Sequence, residues 1–313
     1  YLIDVPLAPH RPYAQPQYLH GTTSLQITRN DELVESPYGT MRPGSKYYIE
    51  RTVDLHCWEL ISAPNPTTLF IRAPRQMGKS SLMRRIISQV ESLGLKEVVF
   101  IDLQKFSERS FLDEEKFLIE LCLMIGDVLG VSEKIEQYWS GRRTPIMKCS
   151  LYLSDYILAK INRPIILAVD EVDRMLTSPF KTDFFGMLRT WHNDRVFDNH
   201  FARLSLFLSS STEPYLFIDN PHQSPFNVAE VYTLQDFSLE EVEELNRRHK
   251  SPLTASELDE LMDLIAGHPF LTQLTLYQLT TKKIDSLQTV LARATTDTGP
   301  FSDHLRRYLL LVL

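Results

Sequence analysis

The chain has 313 residues, of which 43% are hydrophobic and 23% are charged, and its formal net charge is −7. This length favours about two globular domains with enough apolar residues for a sizeable core. The acidic balance argues against nucleic-acid binding over a large surface, although it leaves a local basic patch open. No apolar run approaches the roughly 18 residues of a membrane span, and no signal peptide is visible. We therefore expect a cytoplasmic protein without a membrane partner.

The cysteines do not indicate a metal or redox site. Their number is odd, and the spacings of Cys57, Cys122 and Cys149 match no zinc or dithiol pattern. We interpret them as reduced, buried apolar side chains.

Residues 1–42 are predicted to form an extended N-terminal arm, because Pro6, Pro9, Pro12 and Pro16 interrupt any long helix. A disordered linker and a strap across the following domain are both open interpretations. The sequence begins without methionine and ends in the apolar run "YLLLVL". We expect from these ends that it is a piece of a longer protein.

Five short apolar runs alternate with helical patterns from residue 43 to 236. The runs lie at 67–72, 98–102, 165–169, 204–208 and 228–234. Strands that are apolar throughout and separated by helices predict a parallel sheet with helices on both faces, an α/β domain. In the helix after the first strand, the spacing predicts one buried face that contains Leu82, Ile86, Val90 and Leu93.

A small helical region is predicted over 237–285. Ser238 precedes Glu241 by three residues, and Thr254 precedes Glu257 in the same way, so each pair predicts a capping box. Gly267 is expected to end the second helix. We assign 286–313 to a further C-terminal region.

A phosphate-binding loop is predicted between the first strand and its helix, over Ala73–Ser80. Backbone N–H groups must surround a phosphate chain, a lysine must reach the β- and γ-phosphates, and a hydroxyl must hold Mg²⁺. Gly78, Lys79 and Ser80 meet these needs, and the helix N-terminus adds partial positive charge. Ala73 stands where the pattern has its first glycine, which alanine can replace if its φ is negative.

An acidic pair ends the third apolar run. Asp170 at the strand tip is placed to hold Mg²⁺, and Glu171 to orient or deprotonate an attacking water. Asp173 is expected to cap a helix or to pair with Arg174.

Hydroxyl groups follow the fourth run at the sheet edge where open α/β sheets bind ligands. Ser210, Ser211 or Thr212 could hold a γ-phosphate or an attacking water. A serine-rich turn with local side-chain caps is an equally open interpretation.

These motifs together resemble the bacterial AAA-like ATPases of the STAND class, the signal transduction ATPases with numerous domains. The resemblance covers roughly 38–308 and rests on "SKYYIER", "APRQMGKSSLM", "ILAVDEVDR", "SPFNVAEVYTLQDFSLEEVEEL", "GHPFLTQLTLYQL" and "GPFSDHLRRYL". It implies a P-loop NTPase fold of the ASCE division with sheet order 5-1-4-3-2. It also implies that 237–285 is a lid and that 286–313 begins a winged-helix region.

The resemblance implies the roles of particular residues. Glu171, Lys79 and Ser211 would be catalytic, and Ser80 and Asp170 would hold Mg²⁺. ATP or ADP would be the ligand, with Tyr48, Ile49 and Arg51 at the adenine and Pro269 near the base. His268 could sense phosphates or be a structural histidine. The remaining nucleotide-binding residues would be Pro74, Arg75, Gln76, Met77, Gly78 and Ser81.

No arginine finger is assigned from the sequence. Arg189, Arg195 and Arg203 are candidates, but surface ion pairs are the commoner role of an arginine. Arg247 and Arg248 lie on a strongly polar helix and are expected to face water.

Three functional hypotheses remain. The first is a regulatory ATPase that hydrolyses slowly and switches a signalling or defence protein, with a protein partner or self-assembly through further domains. The second is a DNA-associated AAA+ ATPase similar to replication initiators or transposition regulators, which the acidic charge does not favour. The third is a non-catalytic nucleotide-binding scaffold, which only Ala73 supports.

Overall fold

A computed structural model describes residues 34–212 and 227–306. Its strands are β1 (Thr68–Arg72), β2 (Glu97–Asp102), β3 (Ile165–Asp170), β4 (Leu204–Ser210) and β5 (Glu230–Thr233). Its α-helices are α1 (Thr52–Ser62), α2 (Lys79–Ser92), α3 (Glu114–Val128), α4 (Ile135–Trp139), α5 (Pro145–Leu151), α6 (Lys181–Asp194), α7 (Leu239–Arg248), α8 (Ala255–Ile265), α9 (Pro269–Thr280) and α10 (Leu287–Arg293). Most of the predicted arm lies outside the described residues.

The strands form one parallel sheet in the order β2-β3-β4-β1-β5. This order is the predicted 5-1-4-3-2 read from the opposite edge, so the predicted fold is confirmed. Both faces of the sheet are buried, as the apolar runs require. In β1, Phe70 packs on one face with α3 and α6, while Leu69 and Ile71 pack on the other face with α1 and α2.

The helix after β1 follows its predicted face for three of four residues. Leu82, Ile86 and Val90 are buried against the sheet. Leu93 was predicted wrongly: it is the C-cap residue of α2 and is 61% exposed. The chain turns away there, at Gly94 with a φ of 60°, before the next helical turn could bring Leu93 to the core.

The predicted helix around 151–161 changes its winding. After α5, residues Tyr152–Leu158 form a π-helical stretch. Within it, the rings of Tyr152 and Tyr156 pack at a tilt of 31° with centroids 5.2 Å apart, and both pack against Tyr138. The apolar spacing predicted a helix but could not distinguish the wider winding.

The region after the sheet is helical, as predicted. Both predicted capping boxes are present, at Ser238 and Thr254, and α7 to α10 share a separate apolar core. Residues 302–306 are helical as well, and 307–313 lie outside the described part. A winged-helix region stays a prediction.

Two simpler expectations can be compared with the described residues. All three cysteines are free and buried, as predicted. No helix there combines the length and the apolar character that crossing a bilayer requires.

Candidate functional site

The loop between β1 and α2 places backbone N–H groups around a concave turn. Gln76 and Gly78 have positive φ values of 66° and 95°, and Gly78 is the N-cap of α2. Glycine adopts this left-handed conformation without the Cβ penalty of other residues. A turn of this kind that leads into a helix N-terminus forms an anion-binding site.

Ala73 acts as a continuation of β1. Its backbone N–H donates to Ser210 O at 3.2 Å, and its side chain is buried. Its φ is not positive, so no glycine is needed at this position. The substitution of the expected first glycine is therefore compatible with an intact loop.

Lys79 lies at the centre of the site and is only 4% exposed. Its Nζ donates to Ala73 O at 2.8 Å, to Pro74 O at 3.0 Å and to Ser211 Oγ at 2.9 Å. Burial lowers the pKa of Lys79, and the nearby carboxylates, Glu171 foremost, oppose that shift. The ammonium group is thus held beside the loop by three acceptors.

Asp170 ends β3 as a buried carboxylate. Its Oδ1 accepts hydrogen bonds from Ser209 Oγ and, at 3.0 Å, from the backbone N–H of Glu171. Ser209 was not among the predicted site residues. Because Val169 pairs with Leu208 in the parallel ladder, the next residue of β4 comes beside Asp170. The predicted strand order contained this signal.

Glu171 follows in a left-handed conformation, with φ 58° and ψ 44°. This conformation is uncommon outside glycine, asparagine and aspartate, and it often marks functional sites. Burial raises the pKa of Glu171, and the charges of Asp173 and Asp170 add to the effect. The side chain lines the cavity described below, where a general base would be needed.

Ser211 connects the lysine to the acidic segment. Besides accepting from Lys79, it donates its backbone N–H to Asp173 Oδ1 at 3.1 Å. Asp173 was expected to cap a helix or to pair with Arg174, and the ion pair is not formed, because Arg174 instead pairs with Glu108 at 2.6 Å. Ser210 and Thr212 instead make a local turn, in which Thr212 N–H donates to Ser210 Oγ at 2.9 Å.

The oxygen atoms of the site fit Mg²⁺ in part. Ser80 and Asp170 offer a hydroxyl and a carboxylate, the hard ligands that Mg²⁺ prefers. Within the described residues, no group of three or more His, Cys, Asp and Glu residues could hold a metal by itself. A cation held by Ser80 and Asp170 would take its other ligands from phosphates and water.

A cavity of about 500 Å³ extends from the loop to the helical region. All but one of the predicted nucleotide-binding residues line the cavity, namely Tyr48, Ile49, Arg51, Arg75, Gln76, Met77, Gly78, Lys79, Ser80, Ser81 and Pro269. The exception is Pro74, whose carbonyl accepts a hydrogen bond from Lys79. Sequence reasoning missed further lining residues, namely 37–41, Tyr47, Gln104, Phe237, Phe270 and Gln273. These residues carry no phosphate motif, and only the folded chain brings them together.

Tyr48 and Arg51 use their polar groups inside the protein. Tyr48 donates its buried hydroxyl to Asp54, and burial raises the pKa of Tyr48 well above its usual range. Arg51 Nη1 donates to Met77 O at 3.1 Å, so it fastens the start of α1 to the phosphate loop. The guanidinium also lies 5.6 Å from the ring centroid of Phe237.

The Gly267-His268-Pro269 element connects α8 to α9. Gly267 has a φ of 75°, and a Cβ there would lie 2.1 Å from Phe237 O. Pro269 is the first residue of α9 and lines the cavity. His268 is not among the described residues that line the cavity, and its ring packs at 4.7 Å against His304.

Two of the candidate arginines lie at the opposite edge of the sheet. Arg195 Nη2 donates to Thr67 O and its Nε to Leu204 O, both at 2.9 Å and both at strand starts. Arg203 donates to Leu158 O at 2.6 Å. On the lid, Arg248 does not face water as expected: its Nη1 donates to Tyr48 O at 2.7 Å.

The fold and the site define a P-loop ATPase of the AAA-like type. The strands follow the order β2-β3-β4-β1-β5. The loop with its buried lysine, Glu171 and residues of α9 line one cavity, and Asp170 lies next to Glu171. A family model described as the AAA-like domain matches residues 36–312, and the chain belongs to this family.

The chain is also similar in sequence to a longer protein. An uncharacterised WD repeat-containing protein of Synechocystis is 33% identical over 207 residues, which cover 64% of this chain and 17% of that protein. The chain therefore spans about one sixth of that relative's length.

Two archaeal structures share the fold. A Walker-type ATPase of Pyrococcus abyssi is 17% identical with a TM-score of 0.50, over 83% of this chain and 76% of that one. The ORC2 protein of Aeropyrum pernix, determined as ADPNP-ADP complexes, is 14% identical with a TM-score of 0.53, over 80% and 72%. At these identities the likeness shows the fold alone.

Proposed function

We propose that this chain binds ATP or ADP with Mg²⁺ and acts as a nucleotide-dependent switch with slow hydrolysis. The observation that carries the proposal is that three separate parts of the chain line one cavity. The phosphate loop, the segment before α1 and the lid helix α9 all line the same space. A ligand held there contacts three parts of the chain at once, so its loss would change how they are held together.

The residues of the site support a division of roles in hydrolysis. The loop amides and Lys79 neutralise phosphate oxygens, and Glu171 takes the proton of an attacking water. Ser211 positions Lys79. Ser80 and Asp170 would hold Mg²⁺, which when bound stabilises charge on the phosphates. Burial raises the pKa of Glu171, so its carboxylate is a stronger base than that of an exposed glutamate.

The lid is joined to the nucleotide-binding domain through polar contacts that can open. We assign 43–236 to the nucleotide-binding domain, 237–285 to the lid and 286–313 to a further C-terminal region. Arg248 on α7 donates to Lys46 O at 3.0 Å and to Tyr48 O at 2.7 Å. Hydrogen bonds of this kind contribute modest net stability each, which suits a two-state element.

The described end of the arm, residues 34–42, also reaches the site. Met41 N–H donates to Ser81 Oγ at 3.0 Å, and the ring of Tyr38 lies 6.0 Å from that of Phe270 on the lid. These contacts support a segment, 34–42, that responds to the nucleotide. We propose that the switch serves a cytoplasmic STAND-like signalling or defence protein, as the sequence resemblance implies, with a protein partner or self-assembly through further domains.

Calorimetry with ATP and ADP, with and without Mg²⁺, tests the binding step. Lys79→Ala should weaken ATP binding by about 100-fold or more, because a charge-assisted contact to phosphate is lost. Lys116→Ala is the matched control, since this lysine lies on the outer surface of α3, paired with Asp113. Wild-type protein that binds neither nucleotide, or a Lys79→Ala variant that binds as well as wild type, would overturn the proposal.

A further inference from the structure

Three cationic side chains among the described residues line the cavity, and they differ in their protein partners. Lys79 donates to three acceptors, and Arg51 donates to Met77 O and pairs with Asp54 at 3.8 Å. Arg75 is exposed, and it makes no hydrogen bond or ion pair with the part of the chain that the structure describes. Because a guanidinium carries five N–H donors, Arg75 brings unused donors to a ligand in the cavity.

The phosphate loop places Arg75 beside Lys79. Lys79 Nζ donates to Pro74 O at 3.0 Å, and the peptide bond that contains this carbonyl ends on the backbone nitrogen of Arg75. On the other side, Gln76 is held by His304, whose Nδ1 lies 2.5 Å from Gln76 Oε1. Both chain neighbours of Arg75 are thus anchored. Its backbone is fixed next to the lysine that must reach the β- and γ-phosphates.

Arg75 shares this end of the cavity with the proposed general base. Glu171 lines the same cavity. Burial raises the pKa of Glu171, and the positive charges of Lys79 and Arg75 oppose that shift. A phosphate held by Lys79 and a water held by Glu171 would therefore meet beside the guanidinium of Arg75.

The arginines that the sequence offered as fingers are engaged elsewhere. Arg195 and Arg203 donate to backbone carbonyls at the opposite edge of the sheet. Arg189 lines a separate cavity between α5 and α6. Within the described part of the chain, Arg75 is thus the arginine that combines a place in the nucleotide cavity with unused donors.

We propose that Arg75 is a catalytic residue of ATP hydrolysis, which binds the γ-phosphate from within the same chain. This inference rests on the proposed nucleotide binding and hydrolysis. A water oxygen bonds to the γ-phosphorus, the bond to the bridging oxygen of ADP breaks, and Glu171 takes the water proton and later releases it to solvent. The products are ADP and inorganic phosphate.

The guanidinium acts on the transition state of this reaction. Negative charge spreads there over the γ-phosphate oxygens, and a planar donor fork can bind two of them at once. P-loop GTPases that carry such an arginine in the same chain turn over on the order of 10⁻² per second. An arginine of this kind is therefore compatible with a slow switch, and it makes hydrolysis independent of a second copy of the chain.

Phosphate release and calorimetry on the full chain test this role. Arg75→Ala should lower the hydrolysis rate by about 100-fold or more, because a donor to the transition state is lost. ATP binding should weaken by about five- to tenfold and ADP binding by less than about twofold, because ADP lacks the γ-phosphate. Arg142→Ala in the exposed turn after α4 is the matched control, since Arg142 does not line the cavity.

Two further measurements separate catalysis from a structural role. Arg75→Lys keeps the charge but loses the planar fork, so it should recover only part of the rate. Guanidinium chloride below denaturing concentrations should restore part of the rate to Arg75→Ala and none to Lys79→Ala. Failure of both Arg75→Lys and guanidinium to restore any hydrolysis would contradict a direct role of the side chain.

A mixing experiment tests whether Arg75 acts in its own chain. Arg75→Ala chains retain Lys79, and Lys79→Ala chains retain Arg75. If the arginine serves its own site, a mixture of the two variants hydrolyses ATP no faster than the sum of the separate variants. Restored hydrolysis in the mixture would show that Arg75 reaches a neighbouring copy, and it would overturn the proposal.

The remaining outcomes separate the two proposals. Arg75→Ala that hydrolyses ATP at the wild-type rate, or that binds ADP as weakly as ATP, overturns the role of Arg75 while nucleotide binding stands. Unchanged ADP binding shows that the variant is folded. Wild type that binds nucleotide but releases no phosphate would remove the hydrolysis step and the role of Arg75 with it. Wild type that binds no nucleotide would remove the proposed function as a whole.

Discussion

Arg248 on the lid donates its Nη1 to the backbone carbonyl of Tyr48 at 2.7 Å, across 200 residues of sequence. The same nitrogen reaches Lys46 O at 3.0 Å, and Nε donates to Glu244 Oε1 at 2.6 Å. Tyr48 belongs to the segment that lines the nucleotide cavity. One arginine therefore joins α7 to the wall of the cavity.

Arg248→Ala should loosen the lid, because two charge-assisted hydrogen bonds to carbonyls are lost. We expect the free energy of unfolding to fall by about 1–2 kcal/mol, measured by urea denaturation. Amide hydrogen exchange in α7–α9 should become faster at the same time. The neighbouring Arg247→Ala is the control: this side chain is 73% exposed and pairs with Glu244 on the surface, so a change below about 0.5 kcal/mol is expected. Equal effects of the two substitutions would contradict the role of Arg248.

Glu171→Gln should stop multiple-turnover hydrolysis while it leaves nucleotide binding intact. The amide keeps the shape of the side chain but cannot accept a proton from water, so phosphate release should fall by about 100-fold or more. ATP affinity, measured by calorimetry, should stay within about threefold of the wild-type value. Glu91→Gln on the exposed side of α2 serves as the control. Phosphate release that continues at the wild-type rate in Glu171→Gln would rule out this residue as the base.

The sequence predicted most of the fold because each element carries a strong local signal. Apolar runs, two capping boxes and the loop around Lys79 depend on neighbouring residues and elementary chemistry. The predicted acidic pair and Ser211 converge on Lys79 in the structure. Ser209 was missed although strand order places it beside Asp170.

Other features depend on contacts that no local pattern contains. Arg248 lies on a helix with a strongly polar sequence, and its acceptors are backbone carbonyls, which every sequence supplies. Gln273 likewise resembles any polar residue of a helix until the fold places it beside the cavity. Long-range contacts to backbone atoms leave no residue-type signal, so only the folded chain reveals them.

The pKa of Glu171 predicts a pH dependence of stability in nucleotide-free protein. Because burial and the neighbouring aspartates raise its pKa in the folded state, that state binds the proton more tightly than the unfolded chain does. Ionisation of Glu171 then costs stability, and the cost appears as the pH rises from the unfolded pKa through the raised folded value. Glu171→Gln should therefore be more stable than wild type at pH 7.5 and similar to it near pH 4, by urea denaturation in the presence of EDTA.

A second glutamate provides a control of opposite sign for this experiment. Hydrogen bonds from Tyr156 and Lys160 lower the pKa of Glu133 on the surface. Its ionised form favours the folded state above the unfolded pKa, and that contribution is lost as the pH falls through the lowered folded value. Glu133→Gln should be no more stable than wild type at pH 7.5. A Glu171→Gln variant that is less stable than wild type at pH 7.5 would contradict the direction of the shift.

Gly267→Ala should strongly destabilise the junction between α8 and α9. The added Cβ would lie 2.1 Å from Phe237 O, and the φ of 75° is unfavourable for alanine. Relief of the overlap requires a backbone shift that breaks the hydrogen bond from Phe237 N–H to Gly267 O. We expect a loss of about 3 kcal/mol or more in the free energy of unfolding.

The control is Gly186→Ala inside α6, where nothing lies within 4 Å of the new Cβ, and alanine should stabilise the helix by about 0.5–1 kcal/mol. Because Pro269 begins α9 two residues later, Gly267→Ala should also weaken nucleotide binding, measured by calorimetry below the unfolding temperature of the variant. A variant with wild-type stability would show that the lid reaches its position without this close backbone contact.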